Sequence, residues 1–311
     1  MEILIHDKRN LLTLASLNDM DLRHLVGTRV GSSTLLKEMA RGSMGAVFVA
    51  YQSSLKRQIA VKILPKSILT SQTAQLFQQE AELAAILSHP NIIPIYEVGD
   101  RKDFLFLAMQ LVDGKPLSYY IKMAQKNVLP SKRTLPVKVT IKIIISVLDA
   151  LDYAHSQNII HRDIKPGNIL IERKLRRPLI VDFGVAQVTN HSTESADIIA
   201  GTPSYMAPEQ LLNPKVDGRA DIYSVGTMMY EMLTTEPLFS GFASVQDFLK
   251  MKVKRKDGLF TKKPSEVNTR LNEEMDQIFS KAVAYAQEKR YATCREFRER
   301  LERYVGCYLT N

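Results

Sequence analysis

Two short runs hold most of the chemistry this chain could perform. In His161-Arg162-Asp163-Ile164-Lys165-Pro166-Gly167-Asn168 a carboxylate, an ammonium and an amide lie a few positions apart. Asp182-Phe183-Gly184 adds a second carboxylate downstream. A fixed carboxylate can orient a hydroxyl and take up its proton. Carboxylate and amide oxygens are hard ligands that suit magnesium, which leaves part of its shell for phosphate oxygens and water. Further upstream, Lys62 ends the apolar run Ile59-Ala60-Val61-Lys62, and an inward ammonium there needs a counter-charge. Glu80 can supply it. Gly42 and Gly45 sit in a turn where backbone without Cβ atoms could approach phosphate oxygens, although by themselves an ordinary hairpin explains them better.

These residues need a scaffold, and the hydrophobic pattern supplies one in two halves. Leu35–Met39, Ala46–Tyr51 and Gln58–Leu64 read as strands, followed by a helix over Thr73–Leu87 and strands over Ile92–Val98 and Phe104–Met109. From Lys115 onward helices dominate: Val137–Ser156, Ala220–Leu233, Glu273–Ala286 and Cys294–Val305. Asn168–Ile171 and Leu179–Val181 interrupt them as a small hairpin. The class is α+β, a small antiparallel sheet lobe with one main helix joined to a larger, mostly helical lobe. The junction of the lobes is where a ligand cleft is expected.

Composition is that of an ordinary globular protein, with 45% hydrophobic and 24% charged residues over 311 positions, which excludes disordered and fibrous classes. Two cysteines exclude a disulfide framework and carry no metal-ligand spacing. No apolar run reaches the length of a membrane span. The apolar stretch Leu11–Leu17 is broken by Thr13 and Ser16 and lacks a clear cleavage site, so a cytoplasmic location is expected. The net charge of +9 is scattered and names no partner; its densest run, Arg173-Lys174-Leu175-Arg176-Arg177, reads as a solvated turn.

Taken in order, these motifs resemble those of the eukaryotic-type protein kinases, in particular the Ser/Thr branch and its bacterial members. Ala207-Pro208-Glu209 and Asp221-Ile222-Tyr223-Ser224-Val225-Gly226 add to the resemblance, and Arg290 stands where the family pairs an arginine with the glutamate at Glu209. It implies a catalytic domain over 35–305, divided into 35–112 with the hinge and 113–305. Residues 1–34 are then an extension of unknown role, and 306–311 a tail. It implies ATP and Mg2+ as cofactors and Ser/Thr-bearing proteins as substrates. Lys62 would hold the α- and β-phosphates and pair with Glu80, Asp182 and Asn168 would bind metal, and Asp163 would orient the attacking hydroxyl. Lys165 would contact the γ-phosphate, a feature of Ser/Thr rather than Tyr kinases. Val47, Ala60 and Leu170 match the residues around adenine, Met109 falls at the gatekeeper position, and the backbone of Gln110 and Val112 would meet the adenine edge.

One departure is Ala40, where the first glycine of the phosphate loop is usual; its methyl group could stiffen the loop and weaken nucleotide affinity. Arg162, beside the catalytic acid, would gain a partner if the polar 185–200 segment were phosphorylated, at Thr189, Ser192, Thr193 or Ser195, with Thr193 and Ser195 nearest the family's usual position. Copies of the chain would then phosphorylate each other as a homodimer. Thr202 would help hold the catalytic acid and lysine. Three other readings compete. A docking scaffold is disfavoured by intact Lys62, Asp163, Asn168 and Asp182. A small-molecule phosphotransferase is disfavoured by Ala207-Pro208-Glu209 and the long loop before it. A nucleic-acid binder lacks any recognisable module.

Overall fold

The computed structural model describes residues 21–42, 45–129, 132–183, 204–211, 216–234, 252, 254 and 262–309. Thr189, Ser192, Thr193, Ser195 and Thr202 lie outside them. The chain forms two compact units, one of residues 1–86 with 94–112, the other of 87–93 with 113–311.

The first unit is a six-stranded antiparallel sheet, in order β1 (Arg29–Val30), β2 (Ser33–Gly42), β3 (Gly45–Gln52), β4 (Arg57–Pro65), β6 (Phe104–Gln110) and β5 (Ile95–Asp100). Alternation sets its faces. Ala46, Phe48 and Ala50 of β3 join Ile59, Val61 and Ile63 of β4 in one core cluster, with Leu35 and Phe106. Residues 21–34, expected as an extension, contribute Leu22, Val30 and the strand β1 to this unit. Within Ile59–Pro65 only Lys62 is not buried. Helix α1 (Ser71–Ala85) starts at Thr70, whose hydroxyl accepts the Thr73 N–H at 3.1 Å, and packs on β5 and β6.

The expected strand Ile92–Val98 is corrected. Pro94 cannot donate to a ladder, and the chain changes partners around it. Ile93 donates to the Ile180 carbonyl in the second unit, whereas β5 begins at Ile95. Packing also requires a glycine at 45: at φ +153° its Cα faces β4 so closely that an added Cβ would lie 2.0 Å from the Ile63 carbonyl oxygen. Gly45→Ala is expected to destabilise the protein by about 1–3 kcal/mol, through strained φ and a displaced strand, measured as a lower urea midpoint.

The second unit is built on α3 (Val137–Ser156), whose Ile141, Ile144, Leu148 and Leu151 are fully buried. It packs against α4 (Arg219–Thr234) and α6 (Cys294–Tyr308), with α5 (Glu273–Ala282) behind. The helix expected to run to Ala286 stops at Ala282. A three-stranded antiparallel sheet joins β7 (Gly114–Pro116), β8 (Ile169–Glu172) and β9 (Pro178–Ile180). The helix α2 (Leu117–Gln125), not among the expected elements, buries Leu117 and Ile121, four residues apart on one face.

Candidate active site

The loop after α3 is held from below by one buried acid. Asp221, in the first turn of α4, is fully buried. Its Oδ2 accepts the His161 N–H at 2.9 Å and its Oδ1 the Arg162 N–H at 2.8 Å, while His155 Nε2 lies 2.8 Å from Oδ2. Burial alone would push this carboxyl up, but the His155 hydrogen bond, nearby imidazoles and the His161 amide outweigh it and leave Asp221 below its usual range. Arg162 takes a left-handed φ of +64°, which costs a non-glycine residue about 1–2 kcal/mol. It persists because it is gripped on both sides: its N–H by Asp221, its carbonyl by Gln210 Nε2 at 2.9 Å.

His161 then sets the spacing above this anchor. The Asp163 N–H donates to its Nδ1 at 3.2 Å, so Nε2 carries the hydrogen and donates to the Val181 carbonyl at 3.0 Å. Its ring meets Phe183 edge-on, 4.6 Å between centroids. The result is a fixed carboxylate at Asp163. Lys165 Nζ donates to its Oδ2 at 2.7 Å, and Asn168 Nδ2 donates to Oδ2 at 2.9 Å and to the Asp163 carbonyl at 2.8 Å. These bonds leave Oδ1 open among the described residues. Both N–H groups of the Asn168 amide are used, so its oxygen points away from Asp163. The Val181 N–H bonds the Asn168 backbone carbonyl at 3.0 Å, so Asp182 follows a residue tied directly to Asn168.

The donor set suits magnesium. Asn168 presents an amide oxygen and Asp182 a carboxylate, both hard ligands. Among the described residues no group of three His, Cys, Asp or Glu side chains gathers as a metal site. An ion here would therefore draw most of its ligands from phosphate and water, which is magnesium's usual arrangement.

The first unit gathers the other expected residues on one side of its sheet. Directly paired residues share a face. The pairs Ala40↔Val47, Val47↔Lys62 and Ala60↔Met109 therefore place all five side chains on the face opposite the Val61–Ile63 core. Glu80 on α1 buries its carboxylate oxygens. The Gln110 N–H is taken up by the Pro94 carbonyl at 3.1 Å, so an adenine contact at this residue must come from its carbonyl. Leu170 lies on β8, opposite Pro116 and Leu179.

The pairing expected from sequence between Arg290 and Glu209 is present and bidentate, at 2.6 and 2.8 Å. The anchoring role of Asp221 was not read from sequence, nor were those of Gln210 and His155. A signal for Asp221 did exist: an acid in the first turn of a helix buried on all sides must find donors. Nothing local marks Gln210. Asp221→Asn turns an amide N–H toward one of the two loop donors and is expected to lower turnover about 10–100-fold, with the fold retained by circular dichroism.

Known proteins resemble this chain over most of its length. The serine/threonine-protein kinase Pkn1 of Myxococcus xanthus is 33% identical over 284 residues, 89% of this chain and 39% of the relative. PknF of Mycobacterium tuberculosis is 31% identical over 288 residues, 90% of this chain and 58% of its own length. The chain thus spans well under two thirds of these relatives. The crystal structure of the M. tuberculosis PknI kinase domain superposes with a TM-score of 0.70 at 27% identity, covering 89% of this chain and 98% of that domain. Matching the protein kinase domain over residues 33–300 of its 311, this chain belongs to the protein kinase family.

Proposed function

We propose that this chain is a protein serine/threonine kinase that transfers the γ-phosphoryl group of Mg–ATP to protein hydroxyls. The observation that carries this reading is the Asp163 carboxylate, steadied at Oδ2 by Lys165 and Asn168 with Oδ1 open to a substrate hydroxyl. Magnesium, when bound, offsets phosphate charge. Asn168 and Asp182 hold it. Lys62 binds the α- and β-phosphates and is steadied by Glu80, whose buried carboxylate needs a cation. Lys165 moves from Asp163 to the γ-phosphate as substrate enters. Val47, Ala60 and Met109 offer adenine an apolar face, with the Gln110 carbonyl and the Val112 backbone at its edge; Leu170 enters this reading by resemblance alone. Since transfer passes through a loose transition state, positioning and charge are what the protein must supply.

Arg162 is the receptor for a phosphate on the 185–200 segment, at Thr193 or Ser195, placed there by a second copy of the chain, and Thr202 steadies Asp163 and Lys165. The protein acts in the cytoplasm; among the described residues no helix is long and apolar enough to cross a membrane. Incubation with γ-labelled ATP, Mg2+ and a general substrate such as casein tests the reading. Label is expected on serine and threonine of the substrate and on the chain's own 185–200 peptide. Absence of transfer to any protein, with nucleotide binding retained, would leave a docking scaffold instead.

A further inference from the structure

The second unit holds a cavity of about 700 Å³ that none of the candidate site residues lines. Its size falls within the range of small-molecule sites, roughly 300–1,000 Å³. It opens between α2, the first half of α3 and the β8–β9 hairpin. Leu117, Ile143 and Ile171 are buried and give it an apolar wall, which the half-exposed Val139 continues to the surface.

The polar groups divide unevenly. Asn91 and Ser146 are already occupied, Asn91 Nδ2 with the Pro178 carbonyl at 2.7 Å and Ser146 Oγ with the Lys142 carbonyl at 3.1 Å. Besides the Tyr120 hydroxyl, what remains is cationic: Lys142, Arg176 and Arg177 line the cavity, and no carboxylate does. Arg177 meets Glu172 at 3.4 Å, but Lys142 and Arg176 have no ion-pair partner among the described residues. The hairpin fixes the arginines. Glu172 N–H bonds the Arg177 carbonyl and Arg176 N–H the Glu172 carbonyl, each at 3.0 Å. The basic run read from sequence as a solvated turn is thus a turn with two of its arginines at a cavity.

We propose that this cavity binds an amphipathic anion: a long-chain carboxylate or phosphate monoester, its chain along Leu117, Ile143 and Ile171 and its head group at Lys142 and Arg176. An apolar wall rewards methylenes in proportion to the area covered, and unpaired cations at one side fix which end carries the charge. A neutral apolar ligand would leave those cations unused.

The test is a titration of the purified chain with cis-parinaric acid, a fluorescent long-chain carboxylate, followed by displacement with dodecanoate, dodecyl phosphate and dodecanol. Saturable fluorescence in the micromolar range is expected, with one or both anions displacing the probe and dodecanol about tenfold weaker. Whichever anion displaces better names the head group. Lys142→Glu with Arg176→Glu, both exposed, is expected to lose about tenfold in anion affinity and the preference over dodecanol, with an unchanged melting temperature. In the unaltered protein, affinity for the anions should weaken as salt is raised. The proposal fails if no saturable signal is seen, if dodecanol competes equally, or if affinity ignores both the charge reversal and salt. It also fails if an acidic, leucine-rich peptide displaces the probe while dodecanoate does not, which would mark a protein-docking groove.

Discussion

Asp163→Ala is expected to lower phosphoryl transfer about 10²–10⁴-fold while leaving the protein folded. On the proposed reading Oδ1 orients the incoming hydroxyl, and among the described residues no other carboxylate accepts from both Lys165 and Asn168. Methyl substitution removes it entirely. The loop should survive, because its frame runs through the backbone: the Asp163 N–H to His161, its carbonyl to Asn168, and the two amides held by Asp221. The lost Lys165 contact involves a carboxylate side chain that is 35% exposed, so its stabilising contribution is modest. Initial rates with labelled ATP, beside thermal unfolding, check both halves. Turnover like that of the unaltered protein would remove Asp163 from the mechanism; a collapsed melting transition would mean that its role is structural.

Arg290→Ala is expected to cost about 3–5 kcal/mol of stability. The guanidinium side chain is fully buried, and all its donors are used. Nε bonds the Ala284 carbonyl, Nη1 bonds Glu209 and the Arg219 carbonyl, and Nη2 bonds Glu209 and the Tyr285 carbonyl. The face of the group also lies 4.9 Å from the Tyr223 ring centre. Truncation leaves the Glu209 carboxylate uncompensated beside carbonyls that have lost their donors. Lysine cannot restore it, because a single ammonium does not reproduce the planar fork. A double variant, Glu209→Gln with Arg290→Met, is expected to be less destabilised than Arg290→Ala, since it buries no lone charge. Urea unfolding of the three variants decides the matter, and a loss below about 1 kcal/mol for Arg290→Ala would show that the pair is dispensable.

Much of the chemistry was legible in one dimension. Asp163, Lys165 and Asn168 lie within one short loop, and the hydrogen bonds among them span at most five residues, so their mutual geometry is a local matter. The helix Val137–Ser156 was readable to its ends, because four fully buried apolar side chains recur at helical spacing between a proline and a run of polar residues. The shared face of Val47, Ala60 and Lys62 follows from strand alternation once the strands are known. The pairing of Arg290 with Glu209 was reached through family resemblance, not through any local pattern.

Other features were decided only by tertiary packing. Asp221 and Gln210 grip the loop from 59 and 48 residues away, and no sequence period encodes a bond over such a distance. Pro94 splits an apparently continuous apolar run between two units, because which strand receives Ile93 depends on where β9 lies. Gly45 is needed for a contact with Ile63 across the sheet. The cavity flanked by Lys142 and Arg176 exists only where a helix and a hairpin turn leave space. Composition and local spacing thus determined which residues could handle a phosphate; the folded chain decided which backbone is clamped, which charge stays unpaired and where a void remains, since those depend on neighbours that the chain brings together only by folding.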